Sequence, residues 1–352
     1  MSAKTFEDKA IVQPEMSVIV VVPDRYETSR LVVSALRQQT VREKLELVIV
    51  GFPKSDLVVT PSDLEGFACY QVLKVESDIL AHAQAAGVRA AHAPLIVFTE
   101  DHCFPDTCWA EALIKKHNEP WAAVGPVLYN ANPGTAVSWA NFIMKYGEWT
   151  PPLPKSAPRH IPSHNSSYKR AVLLEFGDQL EKALQSETPM QWKMVRKGYR
   201  ICLEPEAKTY HLNYSDFFGS IAMRFHGGRQ FAGHRSERWG LALRLAYFFG
   251  SPLIPCIRMA RCMRTTIRLK KYRLIPGMLP YLMMLLALDG LGEMTGYLFG
   301  IDPVSAKKIS EMEFHRERFL VPGDRALLES INRENRVLQT APRNEKITSG
   351  QD

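Results

Sequence analysis

The segment PLIVFTEDHCFP, Pro94 to Pro105, sets two carboxylates and an imidazole (Glu100, Asp101, His102) directly after an apolar run. Carboxylate oxygens and an imidazole nitrogen can ligate a divalent cation, which can bridge the two phosphates of a nucleotide diphosphate. The same tripeptide also makes an ordinary solvated turn capping the next helix, so alone it decides nothing. A third acid, Glu187, opens the stretch SETPMQWKMVRKGYR, near the positive end of a predicted helix. Farther on, MRFHGGRQFAGHR gathers Arg224, His226, Arg229, His234 and Arg235 around two glycines. Cations there suit an anion whose charge grows during a reaction, and a solvated basic face is the plainer alternative.

For such groups to meet, strands must deliver them to one edge. MSVIVVVP, LELVIV, YQVLKV, PLIVF and WAAVGPVLY read as strands; SRLVVSALRQQ, ILAHAQAAGVRAAHA and DTCWAEALIKKHN read as the helices between them. Buried β-branched runs alternating with helices predict an α/β fold with a mostly parallel sheet covered on both faces. Ligands of such sheets bind beyond the carboxyl ends of the strands, which places residues 23–26, 51–54 and 99–102 on one rim. Residues 130–163, rich in Pro, Asn and Trp, read as a mobile loop region. GYRICLEPEAKTYHL reads as two short strands broken at Glu204-Pro205.

In order along the chain, the first strand ending in Pro, the FTEDHCFP segment, IPSHNSSYKR and the closing GYR…PEAKTYH resemble the family 2 glycosyltransferases of the GT-A fold, over about residues 16–212. That resemblance implies transfer of a sugar from a nucleotide-diphosphate donor, inverting and assisted by Mn2+ or Mg2+. It puts the metal motif on Glu100, Asp101 and His102, with His211 as a further ligand and Asp101 also toward the donor. It implies that Pro23, Asp24 and Tyr26 meet the nucleotide, with Arg224 and Arg229 on the diphosphate. His164 and Asn165 fall at the acceptor, and Glu187 becomes the base that deprotonates the acceptor hydroxyl. Three departures stand out: Gly51 replaces a base-contacting Asp, His102 replaces the last acid of the metal motif, and Thr188 replaces an Asp beside the base. They motivate a rival, a non-catalytic binding subunit on the same fold.

The 352 residues carry a formal charge of +7, with twelve Lys or Arg and a single acid between Arg224 and Arg273. That bias suits an anionic partner. Aliphatic rather than stacking neighbours, and no nucleic-acid motif, argue against RNA or DNA. Without a GxGxxG turn after any strand, a dinucleotide-binding oxidoreductase is set aside. The six cysteines form no CxxC pair, which fits reduced thiols. No apolar h-region occurs in MSAKTFEDKAIVQPE, so no secretory signal is expected. LIPGMLPYLMMLLALDGLGEMTGYLFG has an unbroken apolar core only from Met278 to Leu288, before Asp289 and Glu293. A carboxylate at mid-bilayer costs about 2.5–3.5 kcal/mol, so peripheral or re-entrant attachment to an anionic cytoplasmic leaflet is expected, with a buried hairpin as the alternative. The expected organisation is an N-terminal extension (1–15), the GT-A domain (16–220), a basic and apolar helical region that meets the membrane (221–310), and a charged, partly disordered tail (311–352). The expected acceptor is membrane-proximal, a lipid-linked saccharide or a polysaccharide.

Overall fold

The computed structural model describes residues 13–155 and 157–330. Three of the apolar runs, β1 (Met16–Val22), β2 (Leu45–Gly51) and β4 (Leu95–Thr99), are buried at every residue. With β3 (Cys69–Lys74) they form the parallel half of an eight-stranded sheet of order β3-β2-β1-β4-β7-β6-β8-β5. The remaining strands are β5 (Cys103–Pro105), β6 (Ala123–Asn130), β7 (Ser167–Lys169) and β8 (Ile201–His211). β7 runs antiparallel to β4 and β6, β8 runs parallel to β6, and β5 runs antiparallel to β8. Val22 pairs with Gly51 and Val20 with Thr99, so β1, β2 and β4 all end on one rim, as the sequence predicts.

Helices cover both faces. α1 (Tyr26–Arg37) and α3 (Trp109–Lys116) pack on one side, where Tyr26, Val32, Leu36 and Trp109 meet the strand residues Val18, Val20, Leu47 and Ile49. On the other side lie α2 (Leu80–Ala90), α5 (Arg170–Leu174), α6 (Leu180–Leu184) and α7 (Glu187–Arg196). The buried carboxylate of Glu46 ties the parallel strands together. It accepts from Ser17 on β1, Gln71 on β3 at 2.6 Å, and the His92 N–H ahead of β4 at 2.7 Å. A fully satisfied buried acid of this kind fixes the approach of β4, whose end carries Glu100.

Two segments differ from the sequence expectation. Residues 130–163, expected as loop, hold the helix α4 (Ala136–Lys145), capped by the Thr135 hydroxyl and buried through Val137, Ala140, Phe142 and Ile143. The two strands expected on either side of Glu204-Pro205 are one continuous β8. A register shift opposite Pro126/Val127 absorbs the proline, whose missing N–H would otherwise break the ladder.

The C-terminal region is helical and is packed into the sheet domain. It comprises α8 (Phe217–Arg235), α9 (Leu241–Gly250), α10 (Ile254–Arg268), α11 (Ile275–Phe299) and α12 (Pro303–Phe314). α8 runs across the division expected near residue 220. Leu128 of β6 and Phe142, Ile143 and Tyr146 near α4 share one core with Cys262, Met278, Leu282 and Leu285 of α10 and α11. α11 lies within Tyr272–Phe299, a stretch long and apolar enough to cross a membrane by length and composition. Its acids face protein: Arg258 of α10 pairs with both Asp289 and Glu293. The part of the expected disordered tail beyond 330 falls outside the described residues.

Glycines set the spacing of α8 and α11. A Cβ on Gly292 would lie 2.1 Å from the Phe225 carbonyl oxygen, and one on Gly296 would lie 2.3 Å from that of Arg229. Backbone cannot yield as a flexible side chain can, so Gly292→Ala is expected to destabilise the protein by about 1–3 kcal/mol, read as a lower Tm. Leu291→Ser, at a neighbouring half-exposed position, serves as the control and leaves Tm nearly unchanged.

Candidate active site

Four side chains from three parts of the sheet meet beyond the end of β4. Glu100 follows the last residue of β4, and His102 heads the turn into β5. His211 ends β8, and because Cys103 pairs with His211, the His102 and His211 rings stand 5.1 Å apart. His164 comes from the loop before β7, held by two contacts of its neighbour: the Asn165 N–H donates to the Phe98 carbonyl at 2.7 Å and the Asn165 side chain to the Cys103 carbonyl at 3.3 Å. Asn165 has φ +55, a left-handed conformation that asparagine tolerates better than most residues.

Glu100 Oε2 is the hub. It lies 3.0 Å from His102 Nε2, 3.3 Å from His164 Nδ1 and 3.9 Å from His211 Nε2. Glu313 of α12 approaches His102 Nε2 at 3.6 Å and Lys145 at 3.7 Å, and is also paired with Arg316. The outer faces of the rings are orientated by polar neighbours. Asp101 Oδ1 is 2.8 Å from His102 Nδ1 and Asn213 Oδ1 is 3.1 Å from His211 Nδ1, while the Tyr146 hydroxyl lies 3.0 Å from His211 Nε2 on the inward side. A ring whose Nδ1–H donates outward keeps its Nε2 lone pair facing Glu100.

Burial on its own would raise the Glu100 pKa, yet His164 and His102 hold it well below the usual carboxylate range. Burial lowers His164 to about 4 and puts His211 well below its ordinary value, so both are neutral near pH 7. An ionised carboxylate among neutral imidazoles is a ligand set in its metal-binding protonation state. Glu100 Oε2, His102 Nε2 and His164 Nε2 are buried with no aligned hydrogen-bond partner, a costly condition without an occupant. One ligand atom each from Glu100, His164 and His211, and likewise from Glu100, His102 and Glu313, lies within 4.8 Å of the others. These residues fit a divalent cation, and mixed nitrogen and oxygen donors suit Mn2+ better than Mg2+. A second group, Glu46, Cys69 and His92, is equally close, but the protein itself satisfies its carboxylate.

Glu187 opens α7 on the wall of a cavity of about 120 Å3 that it shares with Glu100, Lys145, Ser163 and Glu313. Burial, reinforced by the charge of Glu100, raises its pKa to about 7. Lys145 is lowered to about 8, first by burial and then by the nearby Arg224. Lys145 and Ser163 also line a larger cleft of about 500 Å3, where Thr188, Arg224, Arg235, Arg258 and Arg261 face Trp149, Trp192 and Phe231.

Several residues expected in the site stand elsewhere. His164, expected at the acceptor, touches Glu100 in the ligand cluster, and Asn165 is fully buried and positions it. Tyr26 exposes about 1% of its surface, packed under α1, so its ring offers no face to a base. Arg229 turns away from both cavities to pair with Asp302 at 3.2 Å. Pro23 and Asp24 do lie on the expected rim, where the end of α12 closes over them: His315 is 3.5 Å from Asp24, and Phe314 meets Phe52 edge-on at 4.9 Å. Gly51 has a local cause, since a Cβ there would lie 2.3 Å from Ser55 Oγ and 2.5 Å from Leu57 Cδ1. Sequence reasoning missed Lys145, Tyr146, Glu313 and Arg316. Only a buried helix hidden in an assumed loop, and a return of the tail to the sheet rim, could have indicated them.

No protein-family model matches the sequence, and no similar curated protein was found. Solved structures do match. A mannosyltransferase from Pyrobaculum calidifontis, PcManGT, in complex with GDP-Man and Mn2+, is 17% identical over 82% of this chain and 88% of its own, with a TM-score of 0.50. GalNAc-T7 with UDP, GalNAc and Mn2+ is 14% identical over 58% of this chain and 44% of its own, TM-score 0.42. TarS from S. aureus is 13% identical over 80% and 55% respectively, TM-score 0.40. The likeness to the mannosyltransferase establishes the fold: this chain has the GT-A fold, a mixed sheet flanked by helices, together with a helical C-terminal region.

The raised pKa of Glu187 has a consequence for stability. Its folded value lies above the unfolded one, so its charge penalises the folded state increasingly as pH rises from the ordinary carboxylate range to about 7. Glu187→Gln removes that charge. The variant is expected to match the wild-type Tm at pH 5 and to exceed it at pH 8, in thermal melts at the two pH values.

Proposed function

We propose that this protein is a metal-assisted, inverting glycosyltransferase of the family 2 type, moving a sugar from a nucleotide diphosphate to an acceptor at a membrane surface. The observation that carries the reading is the convergence of Glu100, His102, His164 and His211 beyond β4, with Glu100 Oε2 and His102 Nε2 unpartnered and Glu100 lining the same cavity as a carboxyl whose pKa is raised to about 7. The GDP-Man and Mn2+ bound by the structurally similar mannosyltransferase support it.

Glu100, His102, His164 and His211 would hold the cation, with Glu313 within reach. Such an ion, when bound, supplies positive charge to a pyrophosphate. Asp101 and Asn213 keep the imidazoles aimed inward. Lys145, still largely cationic at pH 7, offers a further counter-charge for the departing nucleotide diphosphate, as does Arg316 beside Glu313. Pro23 and Asp24 on the rim are the nucleotide-side residues, which puts the donor under the end of α12.

Glu187 is the base. Its carboxylate takes the proton of the acceptor hydroxyl as that oxygen bonds to the anomeric carbon. The bond from that carbon to the diphosphate oxygen breaks, and its electron pair leaves with the nucleotide diphosphate. A base with a pKa near the working pH combines adequate ionisation with adequate strength. Thr188 lines the larger cleft and cannot serve as a base, which leaves Glu187 as the carboxylate in the first turn of α7. Attachment to the cytoplasmic leaflet is supported by exposed Leu241 and Phe249 on α9, Leu253 in the turn that follows and Ile257 on α10, beside the cations of α10.

Wild-type protein with Mn2+ is expected to hydrolyse or transfer from GDP- or UDP-sugars, with kcat/KM rising through a pKa of about 7. Glu187→Gln should lower kcat by roughly 10²–10⁴-fold while still binding the nucleotide diphosphate. A wild-type protein that binds donor but turns over no faster than the variant would instead be the non-catalytic binding subunit.

A further inference from the structure

We infer that the arginine-lined cleft and the apolar groove beside it form one binding site for an amphiphilic acceptor, in which a phosphate or diphosphate joins an alkyl or prenyl chain to the saccharide that receives the sugar. This rests on the transfer reading above and specifies its acceptor.

The cleft holds arginines that no carboxylate pairs with: of the acids on its lining, Glu148 is paired with His160 and Asp289 with Arg258. Arg224 is only 8% exposed; its Nη2 donates to the neutral Asn141 side chain at 3.0 Å, and its Nε has no partner. Arg235 donates to the hydroxyls of Tyr297 at 3.0 Å and Tyr247 at 3.4 Å. Among the described residues neither Arg224, Arg235 nor Arg261 makes an ion pair, whereas the adjacent Arg258 is matched by Asp289 and Glu293. A buried guanidinium without a carboxylate is costly, and its planar fork of donors suits phosphate oxygens.

The groove supplies the other half. Ala246, Tyr247, Gly250, Leu253, Ile254 and Ile257 line a trough of about 410 Å3 whose border is formed by Arg235, Arg258 and Arg261, the same arginines that line the cleft. Leu253 and Ile257 are 64% and 60% exposed, so the trough is open to a chain arriving from outside. On the opposite side the cleft shares Lys145 and Ser163 with the cavity of Glu187. The molecule therefore presents, in sequence, an apolar trough, unpaired arginines, a passage lined by Lys145 and Ser163, and the base. A tail, a phosphate, a saccharide and its reacting hydroxyl follow the same order. A saccharide without a phosphate handle would leave Arg224 uncompensated, and a bilayer headgroup would have no reason to reach so far inward.

Binding of dodecyl phosphate below its micellar concentration, measured by titration calorimetry, tests the site. Inorganic phosphate and the uncharged dodecyl maltoside separate the two halves, and phosphatidylglycerol vesicles separate a membrane headgroup from a single amphiphile. The expected result is that dodecyl phosphate binds at least about tenfold more tightly than either half-probe, as additive head and tail contacts require. Arg261→Ala and Ile257→Asp, both at exposed positions where folding should be unaffected, should each weaken it at least about fivefold. Equal affinity for dodecyl phosphate and dodecyl maltoside, unchanged affinity in both variants, or binding to vesicles alone would each overturn the inference. Nucleotide diphosphate binding with Mn2+ to the wild-type chain is the separate readout of the donor reading. Its failure with alkyl phosphate binding intact sinks that reading and leaves the amphiphile site standing, and the reverse result sinks only the acceptor.

Discussion

A negative carboxylate buried among neutral imidazoles is the condition on which the arrangement depends. In a low-dielectric interior Glu100 keeps its charge because His164, His102 and Lys145 offset its burial, and burial in turn holds the proton off His164 and His211. Each of these groups is expensive alone. Together they define a small volume with ligand atoms aimed at it and hydrogen-bonding partners behind it, as a cation site requires.

The sheet makes that cluster from residues distant in sequence. β4 projects Glu100, the pairing of β5 with β8 sets His102 beside His211, and Asn165 hangs His164 from the carbonyls of Phe98 and Cys103. The network around Glu46 fixes where β4 begins and so where Glu100 ends up. The C-terminal helices belong to the same unit. They share a core with α4, bring Glu313 and Arg316 to the rim, and build the walls of the cleft that opens toward Glu187. Close glycine contacts let α11 lie against α8, and Arg258 shields the acids that would otherwise interrupt an apolar helix.

Much of this was legible from local pattern. Continuous β-branched runs identified the buried parallel strands, and the position of Glu100 and His102 after PLIVF put them on the correct edge. Glu187 was recognisable as an acid opening a helix. Other features depend on contacts that no local pattern encodes. Short antiparallel strands such as β5 and β7 carry too few residues to show a period. Asn165, expected at the acceptor, is buried and bonded to the carbonyls of Phe98 and Cys103, and Tyr26, expected at the nucleotide, packs in the core. Gly51 read as a lost function, whereas Ser55 and Leu57 leave no room for a side chain. Glu313 lies more than two hundred residues from Glu100, and its arrival at the cluster is a property of the tertiary fold alone.

The account stands or falls on a cation at the Glu100 hub. Crystals grown with Mn2+ and a nucleotide diphosphate, with anomalous data collected on either side of the manganese edge, would locate the ion directly. The expected map has one strong peak within bonding distance of Glu100 and at least two of His102, His164 and His211, touching the pyrophosphate. A pyrophosphate seated with no peak there, or a manganese peak bound elsewhere on the chain, would contradict it.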